Sequence, residues 1–189
     1  MPLDATRNSL VLPLLGLLVE QPAHAYDLTT RLRERYHHLT ATRSTVTTLL
    51  KTLERKGLVA ARTPEQVGNR PPRTTYRLTG AGLADFRARV ETGLTEPPAA
   101  SVDFTLAVAY AAILPADHAA TLLEQRAARL GGELDALRQP TGVREAHMLE
   151  TAYWQSIVTA EVDWTRATAR RIRDGDLDWP DHRPERTDA

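Results

Sequence analysis

Arg43-Ser44-Thr45-Val46-Thr47-Thr48-Leu49-Leu50-Lys51-Thr52-Leu53-Glu54-Arg55-Lys56-Gly57 is the stretch whose reading decides the fold of this chain. Val46, Leu49, Leu50 and Leu53 recur at helical spacing, so one face of a helix is apolar. Gly57 stands where that helix would end in a left-handed turn. The opposite face carries Arg43, Ser44, Thr45, Thr47, Thr48, Lys51, Thr52 and Arg55, which are hydroxyls and cations without a carboxylate. A merely solvated face usually mixes Glu with Lys or Arg at i,i+4, and here the only acid in the stretch is Glu54. Short side chains let a helix approach a nucleic-acid groove closely. Hydroxyls serve bases and phosphates alike, and Arg and Lys neutralise phosphate charge. The face points to DNA.

The flanks strengthen that reading. Residues 9–20 read as a buried helix, with Leu10, Leu14, Leu15, Leu17 and Leu18 covering most of its circumference. Pro13 fits only a first turn, so the regular helix begins near Val11 or Leu12. Gln21-Pro22-Ala23 is a turn. A second helix follows over residues 24–37, with Tyr26, Leu28, Leu32 and Tyr36 inward and Arg31, Arg33 and Arg35 outward. Thr42 is the expected N-cap of the third helix. Two helices, a short turn and a third helix with a cationic face make a helix-turn-helix pattern. Residues 58–62 and 74–78 are short strand candidates, joined by a loop with Gly68, Pro71 and Pro72 from which Arg70 and Arg73 project. This is a hairpin wing. Thr79 then caps a helix over residues 81–92, and Gly80-Ala81-Gly82 reads as the start of that helix rather than as a phosphate loop.

Several of these pieces resemble one family. Leu15-Gly16-Leu17-Leu18, Tyr26-Asp27-Leu28, the run from Leu50 to Val59 with Glu54, Gly57 and Leu58, Arg70-Pro71, and Tyr76-Arg77-Leu78-Thr79 leading to Gly82 together resemble the PadR family of winged-helix transcription regulators. The resemblance covers roughly the first 90 residues, and the wing is its most specific part. Ala25 stands where the family usually has Gly, and Thr47 where it usually has an aromatic residue. Arg43 to Thr48 is more similar to the MarR family, another winged-helix group. The resemblance implies a repressor rather than an activator, a homodimer joined through C-terminal helices, and a response to small aromatic compounds.

Composition sets the outer bounds. The chain has 189 residues, 42% of them apolar, and no cysteine, which excludes disulfides and thiolate metal sites and fits a cytoplasmic protein. Net charge is zero, but residues 1–93 hold 14 Lys+Arg against 8 Asp+Glu, and residues 94–189 hold 10 against 16. A basic front and an acidic back assign the polyanion to the front half. The longest apolar run, Leu10 to Val19, is too short for a membrane span of ~20 residues. Arg7 before it and Ala23-His24-Ala25 after it imitate a signal peptide. Asp4, Glu20-Gln21 and the need for this segment as core speak against one.

Residues 1–93 form the expected DNA-binding domain, and 94–100 (Thr95-Glu96-Pro97-Pro98-Ala99-Ala100) a linker. Residues 101–174 form a helical dimerisation and possible ligand-binding domain, and 175–189 a disordered acidic tail with Pro180 and Pro184. Ser101 caps a mostly apolar segment to Leu114. From Pro115, the residues Leu123, Ala127, Leu130, Leu134 and Leu137 step as a heptad seam, which Gly131-Gly132 interrupts. Beyond a tight connection at Pro140-Thr141-Gly142, a long helix over residues 143–174 shows a stripe of Leu149, Tyr153, Ile157, Ala160, Trp164 and Ala167, widened by Trp154, Val158 and Val162. Stripes this wide exceed the partner surface within one chain, and a second copy would supply it. A monomeric three-helix bundle is the plainer alternative.

The fold expected is mainly α with a small β-hairpin wing: an N-terminal winged helix-turn-helix plus a C-terminal α-helical dimerisation domain. Its site is Arg43, Ser44, Thr45, Thr47 and Thr48 toward bases, with Lys51, Arg55, Arg70 and Arg73 on the phosphates of a pseudo-palindromic operator in double-stranded DNA. Phe104, Tyr110, Tyr153, Trp154 and Trp164 are candidates to hold a flat aromatic ligand, with simple packing of the dimer core as the plainer reading. No catalytic constellation stands out, and no cofactor is implied. His147 beside Glu150 is better read as a surface hydrogen bond than as a metal pair. The chain reads as a regulator whose DNA binding an aromatic ligand relieves, not as an enzyme. The alternative is an adaptor whose winged helix binds another protein.

Overall fold

The computed structural model of the chain describes residues 8–37, 39–65, 73–137 and 144–180, with the backbone alone at 63–65 and 73. Contacts divide the chain into two compact units, Met1–Arg89 and Val90–Ala189.

In the first unit, α1 (Val11–Glu20) buries every residue from Val11 to Leu18. Pro13 sits in its first turn, where no intrahelical N–H is lost. The two-residue β1 (Ala23–His24) leads directly into α2 (Ala25–Arg35), whose Leu28 and Leu32 are fully buried. Tyr26, expected inward, is 58% exposed. It lies in the first turn, two residues before Leu28, and so faces away from the side that packs. α3 (Arg43–Arg55) buries Val46, Leu49, Leu50 and Leu53, the four residues of the apolar pattern. Burying a Leu side chain contributes about 1.5–3 kcal/mol, so this face fixes the rotation of the helix. β2 (Val59–Glu65) and β3 (Arg73–Leu78) form the hairpin, and α4 (Gly80–Thr95) follows, its residues from Val90 onward belonging to the second unit. The sheet is antiparallel in the order β1-β3-β2, with Ala23 opposite Tyr76 and Val59 opposite Leu78. An irregularity falls between Arg62 and Glu65, where Pro64 has no N–H for the ladder. Arg70 and the Arg73 side chain, expected to project from the wing, lie outside the described residues.

The second unit holds α5 (Val102–Ala109), a 3-10 turn over Ala111–Ile113, α6 (Ala116–Ala136), a second 3-10 turn over Glu145–His147, and α7 (Leu149–Arg173). Gly131-Gly132 does not interrupt α6, which runs unbroken through both. His147 and Glu150 do not share a helix, because α7 begins only at Leu149. The Pro140-Thr141-Gly142 connection lies outside the described residues. α6 and α7 are antiparallel. Gln155 near the start of α7 donates to the Leu137 carbonyl at 3.1 Å, and Arg173 at its end donates to Glu124 at 2.7 Å.

The buried seam of α7 is Val158, Val162, Thr165, Ala169 and Ile172, at steps of four and three. The stripe expected to be the principal one lies largely outside it: Leu149 is 65% exposed, Tyr153 68% and Trp164 45%. Hydrophobic strength alone favoured the aromatic side, but within the chain α6 covers the valine side.

The segment expected as a linker is tied down. Arg126 is fully buried and donates to the carbonyls of Pro97 (2.8 Å) and Pro98 (3.0 Å), while Ala99 is buried beside Leu130, Val158 and Val162. The start of the expected tail is ordered as well. Gly175, at φ +74°, closes α7 with the Asp176 N–H on the Arg171 carbonyl, and the Trp179 indole donates to the Leu114 carbonyl at 2.9 Å. Residues 181–189 lie outside the described residues.

Candidate nucleic-acid interface

Both ends of α3 are fixed by local chemistry. The Thr42 hydroxyl accepts the Thr45 N–H at 3.1 Å, which makes it the N-cap. At the other end Gly57 adopts φ +72°, its N–H bonds the Glu54 carbonyl, and the Leu58 N–H bonds the Leu53 carbonyl, both at 2.9 Å. That is a Schellman closure, which a glycine at this place permits. Arg33 on α2 donates to the Ala41 carbonyl at 2.9 Å and so holds the chain entering α3.

Arg43, Ser44, Thr48, Lys51 and Arg55 are exposed on this helix, while Thr45 and Thr47 are half-buried. Thr52, placed on the polar face by its spacing, is instead buried and donates to the Thr48 carbonyl. The hydroxyls are largely engaged. Those of Ser44 and Thr45 meet Thr42 Oγ1 at 2.9 and 2.8 Å, and Thr47 donates to the Arg43 carbonyl at 2.8 Å. Arg55 reaches back to Thr52 Oγ1 at 3.1 Å. Arg43, Thr48 and Lys51 make no side-chain hydrogen bond or ion pair among the described residues, so their donors face solvent.

Beside this helix the structure opens a cleft of about 420 Å³, lined by His24, Ala25 and Tyr26 of β1–α2, Arg43, Thr47 and Lys51 of α3, and Thr74 and Tyr76 of β3. The His24 ring is turned onto β3, with Nδ1 3.1 Å from both the Thr74 carbonyl and Thr75 Oγ1. Burial first, and the charge of Glu54 second, push the Tyr76 phenol above its ordinary value, so it is a neutral donor. His24, Tyr26 and Tyr76 escaped the sequence reading. The signal was present in a Tyr opening α2 and a Tyr at the centre of β3, but Tyr26 read as core and Tyr76 only as part of a strand.

In the second unit, the structure brings together two of the five aromatic candidates. Phe104 meets Trp164 edge to face, with ring centroids 6.1 Å apart at 86°. Together with Thr105, Val108 and Glu161 they line a cavity of about 270 Å³. Tyr153 and Trp154 sit about three turns away along α7, and Tyr110 at the end of α5 is not part of the lining. Sequence reasoning also missed Arg126, whose guanidinium lies 3.8 Å from the centre of the Phe104 ring and donates to Glu161 at 2.7 Å. Burial draws its pKa down and the hydrogen bond it donates to Glu161 pushes back. Glu161 in turn accepts the Ala100 N–H at 2.7 Å. No group of His, Asp and Glu able to hold a metal occurs among the described residues, and no helix there is long and apolar enough to cross a membrane.

Three helices, the third with an exposed cationic face, followed by a hairpin that pairs with a short strand before α2, define a winged helix-turn-helix. Residues 14–88 match the transcriptional regulator PadR-like family. A PadR family transcriptional regulator from Eggerthella lenta is 32% identical, over 46% of this chain and 72% of that one, with a TM-score of 0.38. Residues 14–88 are therefore a domain of the PadR-like family of transcriptional regulators, a family of regulators rather than enzymes. Bacillus subtilis PadR in complex with operator DNA is 21% identical, over 87% of this chain and 99% of that one, with a TM-score of 0.45. The same protein in complex with p-coumaric acid gives 20%, 88%, 99% and 0.39. No curated protein matches the chain.

Proposed function

We propose that this chain is a sequence-specific, DNA-binding transcription repressor that acts in the cytoplasm as a homodimer. The observation that carries the reading is the outer face of α3, where Arg43, Thr48 and Lys51 stand exposed and uncommitted on a helix whose rotation and ends are fixed. α3 enters the major groove with Arg43, Ser44, Thr45, Thr47 and Thr48 toward bases. Lys51, Arg55, Arg70 and Arg73 take phosphates. The exposed side of α7, with Leu149, Tyr153 and Trp164, receives a second copy, so the operator is pseudo-palindromic with half-sites about one helical turn apart or a multiple of it. A small flat aromatic ligand seats in the cavity that Phe104 and Trp164 line and relieves DNA binding.

The test is binding of the full chain to DNA from just upstream of its own gene, titrated across salt with unrelated DNA as control. Tight binding that prefers the upstream DNA and weakens steeply with salt is the expected result. Weak binding, equal for both DNAs at every salt concentration, would overturn it in favour of a protein-binding adaptor.

A further inference from the structure

We propose that the cleft between α2, α3 and β3 seats one phosphodiester of the DNA backbone, with the Tyr76 hydroxyl as its fixed donor, Arg43 and Lys51 as its cations, and the N-terminus of α2 as its backbone wall. The inference rests on the DNA-binding reading and deepens it, because it adds Tyr76 of β3 and the start of α2 to the residues assigned to DNA.

Three independent features converge on the cleft. The first is Tyr76. It is only 6% exposed, lies in the lining, and its hydroxyl has no hydrogen-bond partner among the described residues. The ring is packed away while the hydroxyl itself reaches solvent, and Tyr76 lines the cleft, where a bound acceptor can meet that donor. The second is the 11-residue α2, whose cap residue His24 gives it no side-chain hydrogen bond. The His24 ring is committed to β3 instead, so the first N–H groups of α2 stay uncapped where Ala25 and Tyr26 line the cleft. Unsatisfied N–H groups and the positive end of the helix dipole favour an anion. The third is charge. Arg43 and Lys51, two turns apart on α3, both line the cleft, and no carboxylate does; Asp27 in the first turn of α2 and Glu54 on α3 stand outside the lining. At about 420 Å³ the space exceeds what a lone phosphate ion fills and leaves room for the flanking sugars.

The seat explains how α3 gains its register. Phosphate contacts position a protein on the duplex without reading sequence. A donor set drawn from three elements, with Arg43 on the phosphate rather than on a base, clamps that phosphate at a fixed distance from the base-facing residues Ser44, Thr45 and Thr48.

The test compares Tyr76→Phe with the unaltered chain on two labelled duplexes, the upstream DNA and a random-sequence DNA. A hydrogen bond to a charged acceptor accounts for about tenfold in affinity. Tyr76→Phe is therefore expected to weaken binding about tenfold on both duplexes alike with the salt slope unchanged, since no charge is removed. Lys51→Ala is expected to lower that slope by about one. Amide NMR of the unaltered chain with the random duplex needs no variant and is expected to shift Ala25, Tyr26 and Tyr76. Salt-dependent binding by the unaltered chain together with undiminished binding by Tyr76→Phe overturns the seat alone, as do unmoved amides at those three residues. Absence of any salt-dependent binding overturns the DNA reading, and the seat with it.

Discussion

Gly82 is the place where one methyl group should matter most. The Thr79 hydroxyl contacts the carbonyl oxygens of Gly57 and Leu58 at 2.7 and 3.0 Å and accepts the Gly82 N–H at 3.0 Å, so the start of α4 is laced to the end of α3. A Cβ built on Gly82 would lie 1.9 Å from the Leu58 carbonyl oxygen and 2.8 Å from Leu78 Cδ1. Rotating a side chain relieves only the second contact. The first requires backbone to move by about 1 Å, which opens the Thr79 bonds. Overpacking costs about 1–3 kcal/mol and loss of a cap about 1 more, so Gly82→Ala should destabilise by roughly 2–4 kcal/mol. For a chain of this size that lowers Tm by roughly 5–15 °C. Gly80 is the control: it lies two residues away in the same helix, and a Cβ there meets nothing within 4 Å. Gly80→Ala should be neutral or stabilising by up to about 1 kcal/mol, through reduced freedom of the unfolded chain. Melting followed by circular dichroism at 222 nm reads both variants. A Gly82→Ala chain that melts within about 2 °C of the unaltered one, or a Gly80→Ala chain that falls as far as Gly82→Ala, would refute the close-approach argument.

Arg126→Met should cost about 1–3 kcal/mol in denaturant unfolding, since Glu161 keeps only the Ala100 N–H, the Pro97 carbonyl only Arg129, and the Pro98 carbonyl loses its side-chain donor; a loss under about 0.5 kcal/mol would sink the assignment of this node. Tyr153→Glu, on the exposed side of α7, should turn a dimer into a monomer in sedimentation velocity without lowering Tm of the monomer, and an unaltered chain that sediments as a monomer would remove the basis for the dimer. The Arg173 hydrogen bond holds the exposed Glu124 carboxyl below its ordinary value. A folded pKa below the unfolded one means the stabilisation is present above the ordinary Glu pKa of about 4.3 and fades as pH falls through the lowered value. Glu124→Gln should therefore lower Tm slightly at neutral pH, and not at all in acid or at high salt, where the pair is already neutralised or screened. An effect that grows in acid would contradict the sign.

Where a segment's partner lay within its own few residues, the sequence was enough. The 4-and-3 spacing of Val46, Leu49, Leu50 and Leu53 marked the buried side of α3, because helical geometry alone puts those positions on one stripe. Thr42 and Gly57 marked its ends, because a cap and a Schellman closure are satisfied by atoms three to six residues away. Ser101, capping Phe104 at 3.2 Å, was legible for the same reason, and so was Pro13 in the first turn of α1.

Tertiary structure decided everything that turned on which of two plausible faces meets a neighbour. Spacing on α7 allowed either the aromatic stripe or the valine stripe to be buried, and only the position of α6 selected Val158 and Val162. Spacing put Thr52 among the solvent-facing hydroxyls and Tyr26 in the core, and the packing of α3 and α2 reversed both. Arg126 was invisible as a structural ion because nothing within its own helix partners it; Glu161 is 35 residues away and the Pro97 carbonyl 29. The cleft beside α3 is the same case. Arg43 and Lys51 share a side of α3, but His24 and Tyr76 stand at no motif spacing from them, and the four converge only because β1 pairs with β3 while α3 packs alongside. The pattern along one helix is written by its own geometry, whereas the company a residue keeps across elements is settled only when those elements pack.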